Sequence, residues 1–141
     1  MIARIVQGIL LAGFLLYGSI HDIRTHTMPD WVWMGIAAAG FIGIRLHDLP
    51  SMLLGAAAVL LIEVPLAVLL KDRAIGGADI KLSAAGAFLL GWQKGLAALI
   101  LGLTLSLIVV PVARRIRHED NRKAFPLVPF LAVGIMTAAL I

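Results

Sequence analysis

Cysteine is absent from this 141-residue chain, which excludes disulfides, zinc ribbons and thiol catalysis. Charge is scarce too. Asp, Glu, Lys and Arg make up 14% of the residues, with eight acids against twelve bases and a net charge of only +4. No low-complexity tract and no internal repeat is present, and nothing marks a second domain. What fills the chain instead is apolar: 61% of it is hydrophobic, and the mean hydropathy is +1.01. A soluble domain of this length has too little interior to hide so much apolar surface. Lipid is the remaining solvent, so the class is an integral membrane protein.

Six apolar stretches follow one another, at 3–20, 31–44, 52–70, 80–92, 95–113 and 125–141. A helix needs about 17–25 residues to cross the hydrocarbon core. The second and fourth stretches fall short of that, and each is a candidate for a re-entrant hairpin. Basic residues decide between the topologies. If all six cross, one side holds Arg24, Lys71, Arg73, Lys81, Arg114, Arg115, Arg117, Arg122 and Lys123, and the other holds only Arg4, Arg45 and Lys94. The richer side is expected in the cytoplasm, with both chain termini outside. A dipping fourth segment would export the basic RRIRHEDNRK connection. The expected fold is therefore an all-α bundle of six transmembrane helices, N-out and C-out, forming one domain over 1–141. Its two short helices are tilted or thin the bilayer locally. The first stretch lacks a convincing small-residue cleavage site before His21, so it is expected to stay as a helix. The polar connection 114–123 is expected to be a solvated hinge with affinity for anionic lipid.

Two acids fall at matching depths. Asp22 ends the first helix on the cytoplasmic side, and Asp79 begins the fourth, behind Gly76 and Gly77 in AIGGADIKLSAAG. Two carboxylates brought together share one proton, because like charges at short range do not both ionise cheaply. One member can then activate water while the other protonates a leaving amine. That is aspartic protease chemistry. Helix dipoles assign the ionised form to Asp79, at a helix N-terminus, and the protonated form to Asp22, at a C-terminus. The glycines permit a tight or left-handed backbone and the close approach of an extended strand.

These residues resemble the type IV prepilin peptidases and the related archaeal preflagellin peptidases, the GxGD-type intramembrane aspartyl proteases. DIRTHTMPDW is similar to that family's first aspartate region. GGADIKL is similar to the GxGD motif with its trailing Lys-Leu, here Lys81 and Leu82, and FPLVPFLAVG to the opening of the last helix. The resemblance covers nearly the whole chain. It implies Asp22 and Asp79 as the catalytic pair, with Gly76, Gly77, Ala78 and Lys81 supporting the active-site loop. It also implies removal of the short basic leader from prepilins or pilin-like subunits, cut after a glycine at the cytoplasmic face of the plasma (inner) membrane. Ala78 departs from the pattern, standing where GxGD has its second glycine, and the closing motif lacks the usual Phe-Gly. Larger relatives carry a cytoplasmic region with paired cysteines and an N-methyltransferase activity. With no cysteine and a short connection after His21, this chain is expected to be a peptidase without methylation. No cofactor, metal or nucleic acid is expected; the partners are the prepilin-like substrate and membrane lipid.

Other readings compete residue by residue. Asp79 also suits an N-cap. Thr27-Met-Pro-Asp30 reads as a capping box, which leaves Asp30 structural. His21, Asp22, His26 and Asp30 offer metal-type donors, but their shared face requires a helical loop that Pro29 opposes. Lys81 reaches phosphate, Asp72 or Glu63. Glu63 is the one acid inside a span, where an ionised side chain costs roughly 2.5–3.5 kcal/mol. It is therefore either protonated or paired, and Pro65 beyond it implies a kink that opens it to water. Glu63 supports a different class of function, a small proton- or ion-coupled carrier, although no inverted repeat is visible. A non-catalytic scaffold packing through the small residues of 86–102 is a third class.

Overall fold

The computed structural model describes residues 1–70, 76–118 and 126–141. It is built of α-helices, and no strand occurs among the described residues. In order they are α1 (Ile2–Thr25), α2 (Asp30–Ala39), α3 (Leu49–Leu69), α4 (Gly77–Leu90), α5 (Trp92–Arg117) and α6 (Val128–Leu140). Three of them, α1, α3 and α5, are long and apolar enough to cross a membrane. By contrast α2 has 10 residues, α4 has 14 and α6 has 13. At 1.5 Å per residue none of the three covers a hydrocarbon core of about 30 Å. The last helix is thus shorter than the expected span 125–141, because it begins only at Val128, after Pro126 and with Pro129 in its first turn.

Apolar residues cover both the inside and the outside. Leu61, Val68 and Leu69 on α3 and Leu107 and Ile116 on α5 are all largely exposed. Such surfaces suit contact with lipid. The inward face of each long helix is a narrower stripe. On α1 it runs Leu11, Leu15, Gly18 and Asp22, and on α3 it runs Met52, Gly55, Val59, Glu63 and Ala67. Spacings of three and four residues place each set on one helical face. Both stripes therefore carry an acid into the interior, where a purely structural stripe would continue with an apolar residue.

Helix α4 is central, packing on α2, α3, α5 and α6, while α1 packs on α2 and α6. Small residues bring the helices close. A Cβ on Gly134 of α6 would meet the Ala98 carbonyl and Gly102 of α5, and one on Gly95 would meet Ala87. The small residues of 86–102 thus serve packing inside this bundle. At its far end α5 runs on through Arg114, Arg115 and Arg117 to a left-handed cap at His118, φ 52°. The first part of the expected hinge is therefore helical, and its cations lie where they offset the negative end of the helix dipole. Lys71, Asp72, Arg73, Glu119, Asp120, Arg122 and Lys123 lie outside the described residues.

Candidate active site

The end of α1 and the starts of α2, α4 and α6 meet at one end of the bundle. Gly18 shows how closely: a Cβ there would come within 3.2 Å of Val32, 3.6 Å of Met28 and 3.9 Å of Val128. Asp22, one helical turn further along α1, is 7% exposed. Its Oδ2 accepts a hydrogen bond from the Val128 backbone N–H at 3.3 Å. That amide opens α6, where no intrahelical acceptor exists. An acid at the tail of one helix thus caps the head of another, 106 residues away. Asp22 accordingly sits in the field of a helix N-terminus as well as its own C-terminus. This removes the dipole asymmetry that assigned the ionised form to Asp79.

Asp79 is 8% exposed and stands at the third position of α4. Gly76, not Asp79, is the N-cap. The Gly76 N–H donates to Asp79 Oδ2 at 3.0 Å, and the Asp79 N–H donates to the Gly76 carbonyl at 3.1 Å. Capping and availability for chemistry therefore coexist in one carboxylate, which caps through one oxygen. The loop backbone is plainer than expected. Gly76 is extended, with φ −87° and ψ 162°, so no left-handed turn is used there. Ala78 is a right-handed helical residue, a conformation alanine favours, so the departure from a second glycine costs the backbone nothing. Gly77 is the open position: a Cβ there would meet nothing within 4 Å.

The two acids lie within electrostatic reach of each other. They are not hydrogen-bonded together, and α1 and α4 make no direct helix contact, since α2 and α6 stand between them.

Asp30 has a larger part than the sequence reading gave it. Pro29 is the N-cap of α2, with no side-chain cap bond, so Thr27 forms no capping box. The exposed Asp30 carboxylate instead accepts from Lys81 Nζ at 2.9 Å and from Trp33 Nε1 at 3.1 Å. These bonds, first that to Lys81, hold the Asp30 carboxyl below the usual carboxylate range. Lys81 also lies 5.8 Å from the Trp33 ring centroid, a cation–π distance. Lys81 thus ties the start of α2 to the start of α4, while Asp72, one of its candidate partners, lies outside the described residues. No local signal pairs residues 51 positions apart, so only the packing of α2 on α4 reveals it.

The metal reading does not assemble. His21 Nδ1 lies 2.8 Å from the Thr27 carbonyl and 3.0 Å from Thr25 Oγ1. No group of three His, Asp or Glu able to hold a metal gathers among the described residues. A cavity of about 400 Å³ opens at the other end of the bundle, lined by Arg4, Gln7, Asp48, Ser51 and Lys94 among others, and reaches neither aspartate. Glu63 is fully buried at 0% exposure, so Pro65 within α3 does not open it to water. Its two oxygens and Ser83 Oγ make no hydrogen bond among the described residues.

The model of the type IV leader peptidase family matches residues 9–111. A prepilin leader peptidase/N-methyltransferase of Pectobacterium carotovorum subsp. carotovorum is 31% identical over 135 residues, which cover 89% of this chain. The chain spans about half of that relative's length, 48%. No solved structure matches. With the family match covering Asp22, the glycine loop and Asp79, the chain belongs to the type IV leader peptidase family.

Proposed function

We propose that this chain is a membrane aspartyl endopeptidase that removes the short basic leader of type IV prepilins or pilin-like subunits, with Asp22 and Asp79 as its catalytic pair. The observation that carries this reading is the meeting of two buried acids from separate helices at one end of the bundle. Each is held by a backbone N–H at the N-terminus of a helix, Val128 for Asp22 and Gly76 for Asp79.

In the reaction a water lies between the carboxyls. One, ionised, takes a proton from the water as its oxygen attacks the scissile carbonyl carbon. The other, protonated, donates to the amide nitrogen as the carbon–nitrogen bond breaks. The products are a carboxylic acid and an amine, and the pair returns to a single shared proton. Which member begins ionised is a property of the pair. The open side of Gly77 admits the extended substrate strand, and Ala78 and the Lys81–Asp30 tie support the loop.

The finer placement belongs to the same reading: all six helices embedded, both termini outside, and the site at the cytoplasmic face of the plasma membrane. The positive-inside bias supports it. Arg24, Lys81, Arg114, Arg115 and Arg117 fall at helix ends assigned to the cytoplasm, and Arg4, Arg45 and Lys94 outside. The chain acts as one peptidase domain without methylation, as the absence of cysteine and the connection of only residues 26–29 between α1 and α2 support. The carrier reading fares worse, because Glu63 lines no open path in the described residues.

The test is prepilin cleavage in membranes, comparing the intact protein with Asp22→Asn and Asp79→Asn at equal abundance. Loss of the shortened product in both variants is expected. Persistent cleavage in both would sink the dyad, and an intact protein that cuts no prepilin would sink the activity.

A further inference from the structure

Three polar side chains lie together inside the bundle, and the reaction above uses only one of them. Glu63 stands in the buried stripe of α3 and is fully enclosed. Ser83, on α4, is 5% exposed and is the polar neighbour of Glu63, although no hydrogen bond of ordinary length joins them. Asp79 precedes Ser83 by four residues, hence on the same face of α4, and interacts electrostatically with Glu63. Both Glu63 oxygens and the Ser83 hydroxyl are orphaned among the described residues. Buried polar groups without partners are rare, and those that persist are commonly tied to water or to catalysis. Apolar residues here would pack without any such cost. The expense is incurred twice, on two helices, at one place beside Asp79.

We propose that Glu63 and Ser83 form the floor of the active site, holding a water that hydrogen-bonds the Asp79 oxygen left free by Gly76. Glu63 thereby acts as a positioning residue for Asp79. This rests on the leader-peptidase reading. Glu63 is enclosed and, among the described residues, unpaired, and its neutral form donates one hydrogen bond while accepting others, which an ionised carboxylate cannot do. Ser83 supplies a rotatable hydroxyl that donates and accepts. The water passes this order on to Asp79, orienting its carboxyl and setting its charge state through a group that never touches substrate. Lys81 of α4 is bound to Asp30, and α5, also packed on α3, carries Lys94 and Arg114, Arg115 and Arg117 near its two ends.

Charge coupling gives the role a signature. When Glu63 ionises at high pH, its negative charge opposes loss of the proton shared by the catalytic pair. Removing that charge lets the pair lose its proton at lower pH.

The experiment measures prepilin cleavage against pH for the intact protein, Glu63→Gln, Glu63→Leu and Ser83→Ala in membranes. Glu63→Gln keeps the shape and a donor, so it is expected to lose less cleavage at neutral pH than Glu63→Leu and to move the alkaline limb of the kcat profile to lower pH. Ser83→Ala is expected to lower kcat about tenfold with KM unchanged, and Glu63→Leu to lower it further. A Glu63→Gln profile that superimposes on that of the intact protein overturns the proposal, whether or not Glu63→Leu folds. A second readout needs no cleavage. One protonated-carboxyl infrared band of the intact protein should vanish in Glu63→Gln, leaving that of the catalytic pair, and the same band should shift in Ser83→Ala. If the intact protein cuts nothing, the peptidase reading falls while this band still judges the Glu63–Ser83 contact. A band indifferent to Ser83→Ala overturns the contact.

Discussion

Replacing Asp79 by Asn and by Ala separates its two jobs, because the structure assigns them to different parts of one side chain. One oxygen accepts the Gly76 N–H at 3.0 Å and so finishes the first turn of α4. Asn keeps an acceptor of the same reach, and although it loses the favourable charge at the helix N-terminus, it also sheds the cost of a buried ion. These effects oppose each other at about 1 kcal/mol, so Asp79→Asn should be close to the intact protein in stability. Ala leaves the Gly76 N–H unsatisfied and should cost about 1 kcal/mol, with an upper range near 2 kcal/mol. For a chain of this size that is a loss of roughly 4 °C in Tm. Catalysis follows a different rule. Neither side chain can exchange a proton, so both variants should lose at least about 10³-fold in cleavage rate. The assay pairs thermal unfolding in detergent with prepilin cleavage at matched abundance. An Asn variant that cuts at the rate of the intact protein would refute the catalytic role. An Ala variant as stable as Asn would refute the capping argument.

At Gly77 a new side chain meets only open space, so Gly77→Val should leave the melting temperature within a degree or two, yet raise KM for prepilin if the substrate strand crosses that face. Unchanged KM would place the strand elsewhere. The Asp30–Lys81 bond has a pH sign. Its folded-state carboxyl lies below the usual 3.8, so its contribution is present above that value and is lost as pH falls through the depressed one. The difference in melting temperature between the intact protein and Asp30→Asn should therefore shrink in strong acid; a constant difference would mean that the pair does not contribute through charge. Because the chain has no cysteine, single substitutions report topology. Thr27→Cys should react with an impermeant thiol reagent only from the cytoplasmic side, and Ser51→Cys only from outside, and the reverse pattern would invert the bundle.

Several features were legible before any coordinates. Asp22 and Asp79 stood out because acids are rare in so apolar a chain, and Glu63 because it interrupts an apolar run. Helix ends were less legible. α1 continues through the polar residues His21–Thr25, and α5 continues through its arginines, because a helix emerging from lipid keeps its own hydrogen bonds whatever the hydropathy. Asp30 was read as a local cap, and the competing partner was Lys81 on another helix. The paired glycines permit a tight or left-handed backbone, whereas Gly76 is extended and Gly77 keeps an open face.

By itself, then, the sequence determined the solvent, the helical class and the three unusual acids, since hydropathy and the scarcity of charge are properties of the chain taken locally. Only the tertiary structure decided what each acid touches. It brought the Val128 amide to Asp22, Lys81 to Asp30, and Ser83 and Asp79 to the neighbourhood of Glu63. Those pairings depend on which helix faces pack together, and such contacts bring together residues far apart in the chain, beyond the reach of any local periodicity.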